Sequence, residues 1–508
     1  MTAGRALAGL ALVAVGAGTL LLGSSIDGSN RVRVEAAGGP VAAGARDPRD
    51  IRANNSPNLV RNGRDPRQLA VANRVDTPRY GCALHLSSDS GATWTESQVA
   101  VPAGDTGACF APDVAFDAGG RLHLSFVTLG TMANSPQALW LTSSDDGGRT
   151  FGSATKVSGR YAFQPDLEAD PDVPGRLYLA WLQAGELGLR SFATLANPVN
   201  VARSDDGGTT WGKPVRVSPP ARARAVAPSL AVRQGGGLFL AYLELGDDVL
   251  DFGGAHEGRG GDPYAGRWQL VVARSTDGGR TWTETVAEAA LVPAERIVVF
   301  TPPVPALAVR GNQVHVAVAD ARAGDPDVWL WSSTDSGSTW GAPRRVNDNP
   351  VGDGTTQNLP VLAVADSGRL DAVYYDRRAD PGNERNEVSL QSSPGGKARF
   401  TPRQVLSGRS FDSRIGFGSE NGLPDLGSRL GLASTRTEAV AVWTDTRAGT
   451  QASNKQDLAR AMVVVTGPGL RAGWRRPLQV TGLAVALGGA AVAVGALRRR
   501  PEGRTPAR

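Results

Sequence analysis

Ser275-Thr276-Asp277-Gly278-Gly279-Arg280-Thr281-Trp282 decides how this chain folds. In such a string the Ser and Asp side chains hydrogen-bond the backbone of their own turn, glycine supplies a positive φ, and the closing aromatic packs beneath as a plug. That is a turn joining two strands. The pattern S-x-D-x-G-x-T-W returns at Ser87-Asp89-Gly91-Thr93-Trp94, Ser144-Asp146-Gly148-Thr150-Phe151, Ser204-Asp206-Gly208-Thr210-Trp211 and Ser333-Asp335-Gly337-Thr339-Trp340. A worn sixth copy keeps Ser393 and Phe400 and has lost the Asp. Successive aromatics stand 57, 60, 71, 58 and 60 residues apart, so the string marks a repeating unit of nearly constant size. Asp89, Asp146, Asp206, Asp277 and Asp335 are therefore read as structural.

Other elements run in phase with these turns. Ahead of each lies an apolar strand opening on P-x-L/V, at Pro57, Pro112, Pro165, Pro228, Pro305 and Pro360, with Ser428-Arg429-Leu430 in that place in a seventh copy. An alternating strand follows, such as Leu122-His123-Leu124-Ser125-Phe126 or Val314-His315-Val316-Ala317-Val318. A third strand enters the turn and a fourth leaves it as W-x-x-P-x-x-V, seen at Trp211-Pro214-Val217 and Trp340-Pro343-Val346. Four antiparallel strands repeated seven times predict an all-β chain, a seven-bladed β-propeller of four-stranded blades, with six blades as the alternative. A closed ring also removes the exposed edges that a solenoid would leave. Two segments can supply the last strand: Trp474-Pro477-Val480, which fits the fourth-strand pattern, or the alternating Arg31-Val32-Arg33-Val34-Glu35 near the start. The second is favoured.

The ends read differently from the middle. Residues Ala6 to Gly23 form an uncharged apolar run after Arg5, the pattern of a secretory signal or an uncleaved anchor. Leu478 to Leu497 is again free of charge, and long enough to span a bilayer core of about 30 Å. Arg498, Arg499 and Arg500 follow at once and mark that end as cytoplasmic, whereas a buried core helix is the bland alternative. The expected organisation is a signal or anchor over 1–29, a linker and ring-closing strand over 30–54, the propeller over 55–470, a transmembrane helix over 478–497 and a basic tail over 498–508. This places the propeller on the extracellular side of the cell membrane. Cys82 and Cys109 then either form one disulfide, constraining the unfolded chain by roughly 3 kcal/mol, or remain two lone thiols. The net charge is only +5 and no basic stripe interleaves with aromatics, which argues against a nucleic-acid partner.

These residues resemble the Asp-box (BNR-repeat) β-propellers of the sialidase superfamily, over roughly residues 55 to 465. The resemblance implies boxes on the face opposite any active site. It also implies, for the catalytic members, an Arg-Ile-Pro string, three arginines gripping a substrate carboxylate, a Tyr/Glu nucleophile pair and an Asp acid/base. Here no Arg-Ile-Pro occurs; the nearest string, Arg296-Ile297-Val298, lies between the fourth and fifth units. Only Tyr80, Tyr161, Tyr264 and Tyr375 lie near the loops or strand ends of that face, and no catalytic residue is carried across.

One further string recurs in the last three units, just after the second strand: Asp320-x-Arg322, Asp376-x-Arg378 and Asp445-x-Arg447. Its loops project from the face opposite the boxes. Each pair either braces its own loop or offers guanidinium to a carboxylate or sulfate ligand. The long insertion Gly246 to Arg267 carries Asp247, Asp248, Asp251, His256, Glu257 and Asp262, which suits either calcium or a solvated lid loop. No metal-ligand spacing or other cofactor signature stands out. The functional expectation is recognition of a glycan or cell-envelope protein, or scaffolding, at the cell surface. The alternative is a sialidase-like exo-glycosidase acting on extracellular glycans.

Overall fold

A computed structural model describes residues 31–41, 50–103, 105, 107–130, 135–185, 197–248, 264–294, 303–396, 399–416 and 426–466. Chain contacts divide it into two units. One, Val34–Val463, holds the propeller; of the other, 1–33 with 464–508, only strand ends are described. The apolar runs 6–23 and 478–497, the basic tail and the Arg296-Ile297-Val298 string all lie outside the described residues. Among those described, no helix is long and apolar enough to cross a membrane.

Seven antiparallel sheets carry the chain, each ordered from the ring centre outward. Blade two shows the plan: Ala108–Phe116 innermost, then Leu122–Leu129, Pro136–Ser144 and Thr155–Ser158 at the rim. The middle strands read as near-continuous buried runs because a neighbouring blade covers each face; Leu122–Leu129 is buried throughout. Trp181, Trp268, Trp331 and Trp443 are among the largest fully buried side chains.

The ring closes with the N-terminal strand. Blade seven is built from Gly431–Ser434, Glu438–Asp445 and Asp457–Thr466, and its outer strand is Arg31–Pro40. The pairing runs on to Val41, whose N–H donates to Leu458 O at 2.9 Å. Of the two segments suited to that role, the first made in the chain completes the last blade.

Of the six prolines expected at the start of the inner strands, Pro305 stands directly ahead of Ala306–Arg310, whereas the other five stand inside their strands. Strand pairing slips beside Pro57, Pro112, Pro165, Pro228 and Pro360. The residue before each, Ser56, Ala111, Gln164, Ala227 and Leu359, holds a φ between 47° and 57°. A left-handed residue ahead of proline is doubly disfavoured, and only a surrounding ring can enforce it five times. In blade seven Gly427, at φ 90°, takes the same place; a Cβ there would lie 2.4 Å from Ser56 N.

All five complete box turns repeat one hydrogen-bond pattern. At Ser275 the hydroxyl donates to Asp277 Oδ1 (2.8 Å) and accepts from Gly279 N (3.0 Å). Asp277 accepts from Thr281 N (3.0 Å) and Thr281 Oγ1 (2.6 Å). The plug varies: Trp282 Nε1 donates back to Gly279 O (3.1 Å), as Trp94 and Trp211 do in their own turns, whereas Trp340 Nε1 donates to Thr285 Oγ1 and Phe151 has no N–H to give. The Thr281 hydroxyl first, then its backbone N–H, holds the Asp277 carboxyl well below the usual carboxylate range.

The worn sixth turn is replaced by other means. Ser393 runs into a short 3₁₀ turn, Pro394–Gly396, and a buried ion pair lies at the same end of the blade. Arg369, 1 % exposed, grips Asp371 at 2.8 Å and donates to the carbonyls of Thr435 and Arg436 in blade seven. Asp371 also accepts from Ser392 Oγ and Ser434 Oγ. The pair therefore rivets blade six to blade seven where the box is missing.

Cys82, in the third strand of blade one, is joined to Cys109, in the inner strand of blade two. With a sequence separation of 27, the bridge constrains the unfolded chain by about 3.5 kcal/mol. Free-thiol labelling of the unfolded, unreduced protein should find none. A Cys82→Ser/Cys109→Ser variant should lose about that much stability in denaturant unfolding; an unchanged midpoint would show the staple to be idle.

Candidate functional site

The second-to-third-strand loops sit at the opposite end of each blade from the box turns. In blade five Asp320 pairs with Asp327 at one end of the hairpin, and Val314 pairs with Ser333, the box serine, at the other. On that face each Asp-x-Arg pair closes on itself. Arg322 N donates to Asp320 Oδ1 (2.7 Å), while its Nε and Nη2 reach Oδ2 (2.9 and 2.6 Å). Arg322 Nη2 also reaches Glu288 (2.8 Å), and its guanidinium lies over Trp329 and Trp331. Arg378 is held by Asp376 at 2.8 Å and by Asp348; Arg447 is held by Asp445 and donates to Ser407 O. Asp50/Arg52, Asp65/Arg67 and Asp412/Arg414 repeat the same chelate elsewhere, the second of them between the first and second strands of blade one. A motif that recurs at bends of different kinds is a local brace; of the six copies among the described residues, only three lie in the loop after a second strand where the sequence made them stand out.

The tyrosines expected on this face do not gather. Tyr375 is fully buried with its hydroxyl donating to Thr444 O (3.4 Å), Tyr80 stacks edge-on against Phe110, and Tyr264 donates to Asp247. Tyr242 does donate to a glutamate, Glu284, which also accepts from Arg222 (3.0 Å). Burial first, then the Glu284 contact, pushes the Tyr242 phenol far above its usual range. That pair lies inside blade four and does not line the central cavity. His85 and His315 are pushed down to about 4, chiefly by burial; they bond Asn73 and Ser332 as strand-to-strand pins. Of the insertion read as a calcium or lid loop, residues 249–263 lie outside the described part.

A different constellation lies at the ring centre. The inner strands wall a cavity of about 470 Å³. The residue after each bulge proline, or its counterpart, forms one level around it: Asn58, Asp113, Asp166, Ser229, Ala306, Val361 and Arg429. Five adjacent blades, seven through four, place polar or charged groups there, and blades five and six place apolar ones. Asp113 sits just behind the wall, fully buried, accepting from Asn58 Nδ2 and from Leu167 N (2.8 Å) and facing Arg429 at 3.4 Å. Asp166 accepts from Leu230 N (2.5 Å). Each carboxylate thus stitches its blade to the next. Arg61 and Arg74 also line the cavity, but from opposite ends of blade one, tied to Glu438 (3.9 Å) and Asp76 (2.7 Å). The three guanidinium groups do not converge.

Burial first and the adjacent Asp113 charge second push the Asp166 carboxyl up to about 8. Burial, then Asp166 and Asp113, push Glu168 well above its usual value. Both side chains retain some accessible area because they face the lumen, yet protein encloses them on every other side. The sequence carried a signal for this level, namely the residue type one place after each recurrent proline.

A raised carboxyl costs stability on ionisation. Asp166 contributes fully below the ordinary carboxylate range, near pH 4, and loses that contribution as pH rises through about 8. Asp166→Asn, which can still accept from Leu230 N, should therefore melt no lower than the parent at pH 8. Its melting temperature should also fall less between pH 5 and pH 8, as read by scanning calorimetry; parallel pH profiles would refute this.

No protein-family model matches the chain, and no curated protein matches it. Solved structures give likenesses of propeller to propeller. One is a protein of unknown function from Dyadobacter fermentans, at 13% identity, covering 86% of this chain and 99% of that one, with a TM-score of 0.48. Another is a mutant of the alpha-L-arabinofuranosidase Arb93a from Fusarium graminearum, at 16% identity, 72% and 98% coverage and a TM-score of 0.45. A third is the endosialidase of phage phi92, at 10% identity, 87% and 70% coverage and a TM-score of 0.46. Likeness at this level says nothing about the chemistry of a site.

Proposed function

We propose that this chain is a membrane-anchored extracellular Asp-box propeller that recognises a glycan or a protein, or scaffolds an assembly, at the cell surface. The Cys82–Cys109 bridge carries the placement, since a structural disulfide belongs to an oxidising compartment. The apolar runs at 6–23 and 478–497 and the basic residues beside them agree with it. Recognition is favoured over catalysis because the guanidinium groups of the Asp-x-Arg face are already matched by carboxylates, and those of the lumen stand at separate levels. That face, carrying Asp320/Arg322, Asp376/Arg378 and Asp445/Arg447, is the candidate recognition surface.

Glycoside hydrolysis is the second reading, favoured by one observation: Asp166 is held as a protonated acid at neutral pH beside a second carboxyl, as a general acid must be. A glycan array probed with the intact chain in detergent, beside a fluorogenic sialoside assay, separates the two. Binding without turnover supports recognition, and turnover abolished by Asp166→Asn supports hydrolysis. Protease added to intact cells should digest the propeller and spare a C-terminal tag; protection until lysis would overturn both readings together.

A further inference from the structure

In blade seven the third and fourth strands are not consecutive in the chain. In the other six blades the third strand runs into the box turn, or into its worn replacement after Ser393, and the fourth strand leaves it. The third strand of blade seven, Asp457–Thr466, ends where that turn would stand, and its fourth, Arg31–Pro40, begins there. Two contacts fix which end of the blade this is. Arg369, beside the worn turn of blade six, donates to the carbonyls of Thr435 and Arg436. Those residues form the turn between the first and second strands of blade seven, so that turn lies on the box face, and the third strand returns to it. Arg460, in the third strand, reaches Ala92 O in the box turn of blade one (2.9 Å). The chain therefore enters and leaves the propeller on the box face, by two neighbouring strands.

The apolar runs follow at short range. Residues 24–30 alone separate the run ending at Gly23 from Arg31. Residues 467–473 separate Thr466 from Trp474, which with Arg475 and Arg476 supplies the residue types that favour a membrane interface, just ahead of the run at 478–497. Fully extended, neither spacer spans more than about 29 Å. A ten-residue strand such as Asp457–Thr466 is itself about 33 Å long. Neither spacer is long enough to climb the blade and let the propeller turn over.

We propose that the box face lies toward the bilayer, with the lipid surface as its partner, and that the Asp-x-Arg face points away from the membrane. This rests on the membrane-anchored reading above and adds what each face meets. Exposed Arg149, Lys213, Arg280 and Arg436 stand on the box face among exposed Asp145 and Asp205. With both signs interspersed, the two tethers and not a basic patch hold that face down. The face carrying Arg322, Arg378 and Arg447 then meets partners arriving from outside the cell. A ligand held at the headgroups of the same bilayer stands a full blade height away from it.

Fluorescence transfer to rhodamine-labelled lipid in both leaflets tests this. The full chain is reconstituted into liposomes and carries a donor on one added cysteine, with the native bridge left oxidised. Arg280→Cys marks the box face, in blade four, across the ring from blade seven. Val351→Cys, at a position 65 % exposed, marks the other face, in the link from blade five to blade six. A Cβ on the adjacent Gly352 would lie 3.8 Å from Ala323 O, in the second-to-third-strand loop of blade five. The two faces stand about 26 Å apart, the length of an eight-residue strand, so transfer from the box label should be roughly twice that from the other or more. Equal transfer, or more from Val351→Cys, would overturn the proposal, as would no transfer from either in a chain that floats with the liposomes. A chain that does not float with them would instead overturn the anchored reading on which the proposal rests. If Arg280→Cys fails to fold, Arg149→Cys in the box turn of blade two decides in its place.

Discussion

Removing Arg31–Pro40 is expected to leave the propeller without a cooperative melting transition and to send the chain into aggregates. This segment is the outer strand of blade seven, and without it the neighbouring strand Asp457–Thr466 becomes a free edge. An uncovered edge of up to ten residues is a template for pairing with other chains. The deletion also removes the strand that leads into the hydrogen-bonded clasp between the start of the chain and its end, which continues where Val41 N meets Leu458 O and where Ala53 bridges Gln456. Size-exclusion chromatography and circular-dichroism melting would check this; a monomer with the parent's transition would show the clasp to be dispensable.

Arg369→Ala should cost about 4 kcal/mol, the usual penalty for stranding one partner of a buried ion pair. Its guanidinium is buried, saturated by Asp371 and by carbonyls from blade seven, so truncation leaves an anion and several acceptors unanswered. The double variant Arg369→Ala/Asp371→Ala should lose less than the sum of the singles, since the pair is coupled. Denaturant unfolding of the three variants tests it, and strict additivity would mean that the two residues act separately.

The architecture was legible because its signal is local chemistry copied five times. A Ser, an Asp, a Gly and a Thr at fixed spacing need only each other to make their turn, and the hydrogen bonds around Asp277 are those the string required. The prolines were legible as markers but not as bulges. Nothing in P-x-L/V says that Ala111 or Leu359 must adopt a positive φ; that is imposed by closing the ring. Asp320-x-Arg322 and its copies could be seen to recur, whereas whether their guanidinium groups were free or taken depended on side-chain direction, which spacing does not encode. The lumen was hidden for a different reason. Asp113, Asp166 and Arg429 are scattered over more than three hundred residues and become neighbours only once seven blades stand in a circle.

The clasp of blade seven also has a timetable. At about 5–20 residues per second, Leu458 leaves the ribosome roughly twenty to eighty seconds after Val41, its partner. Six blades own all four of their strands and can form as they emerge, while the first strand made waits for the last. For that interval every molecule is an unfinished ring with an unsatisfied segment at each end. The crowding of such half-built rings during synthesis, rather than the stability of the finished one, is then expected to limit how much of this protein a cell can produce.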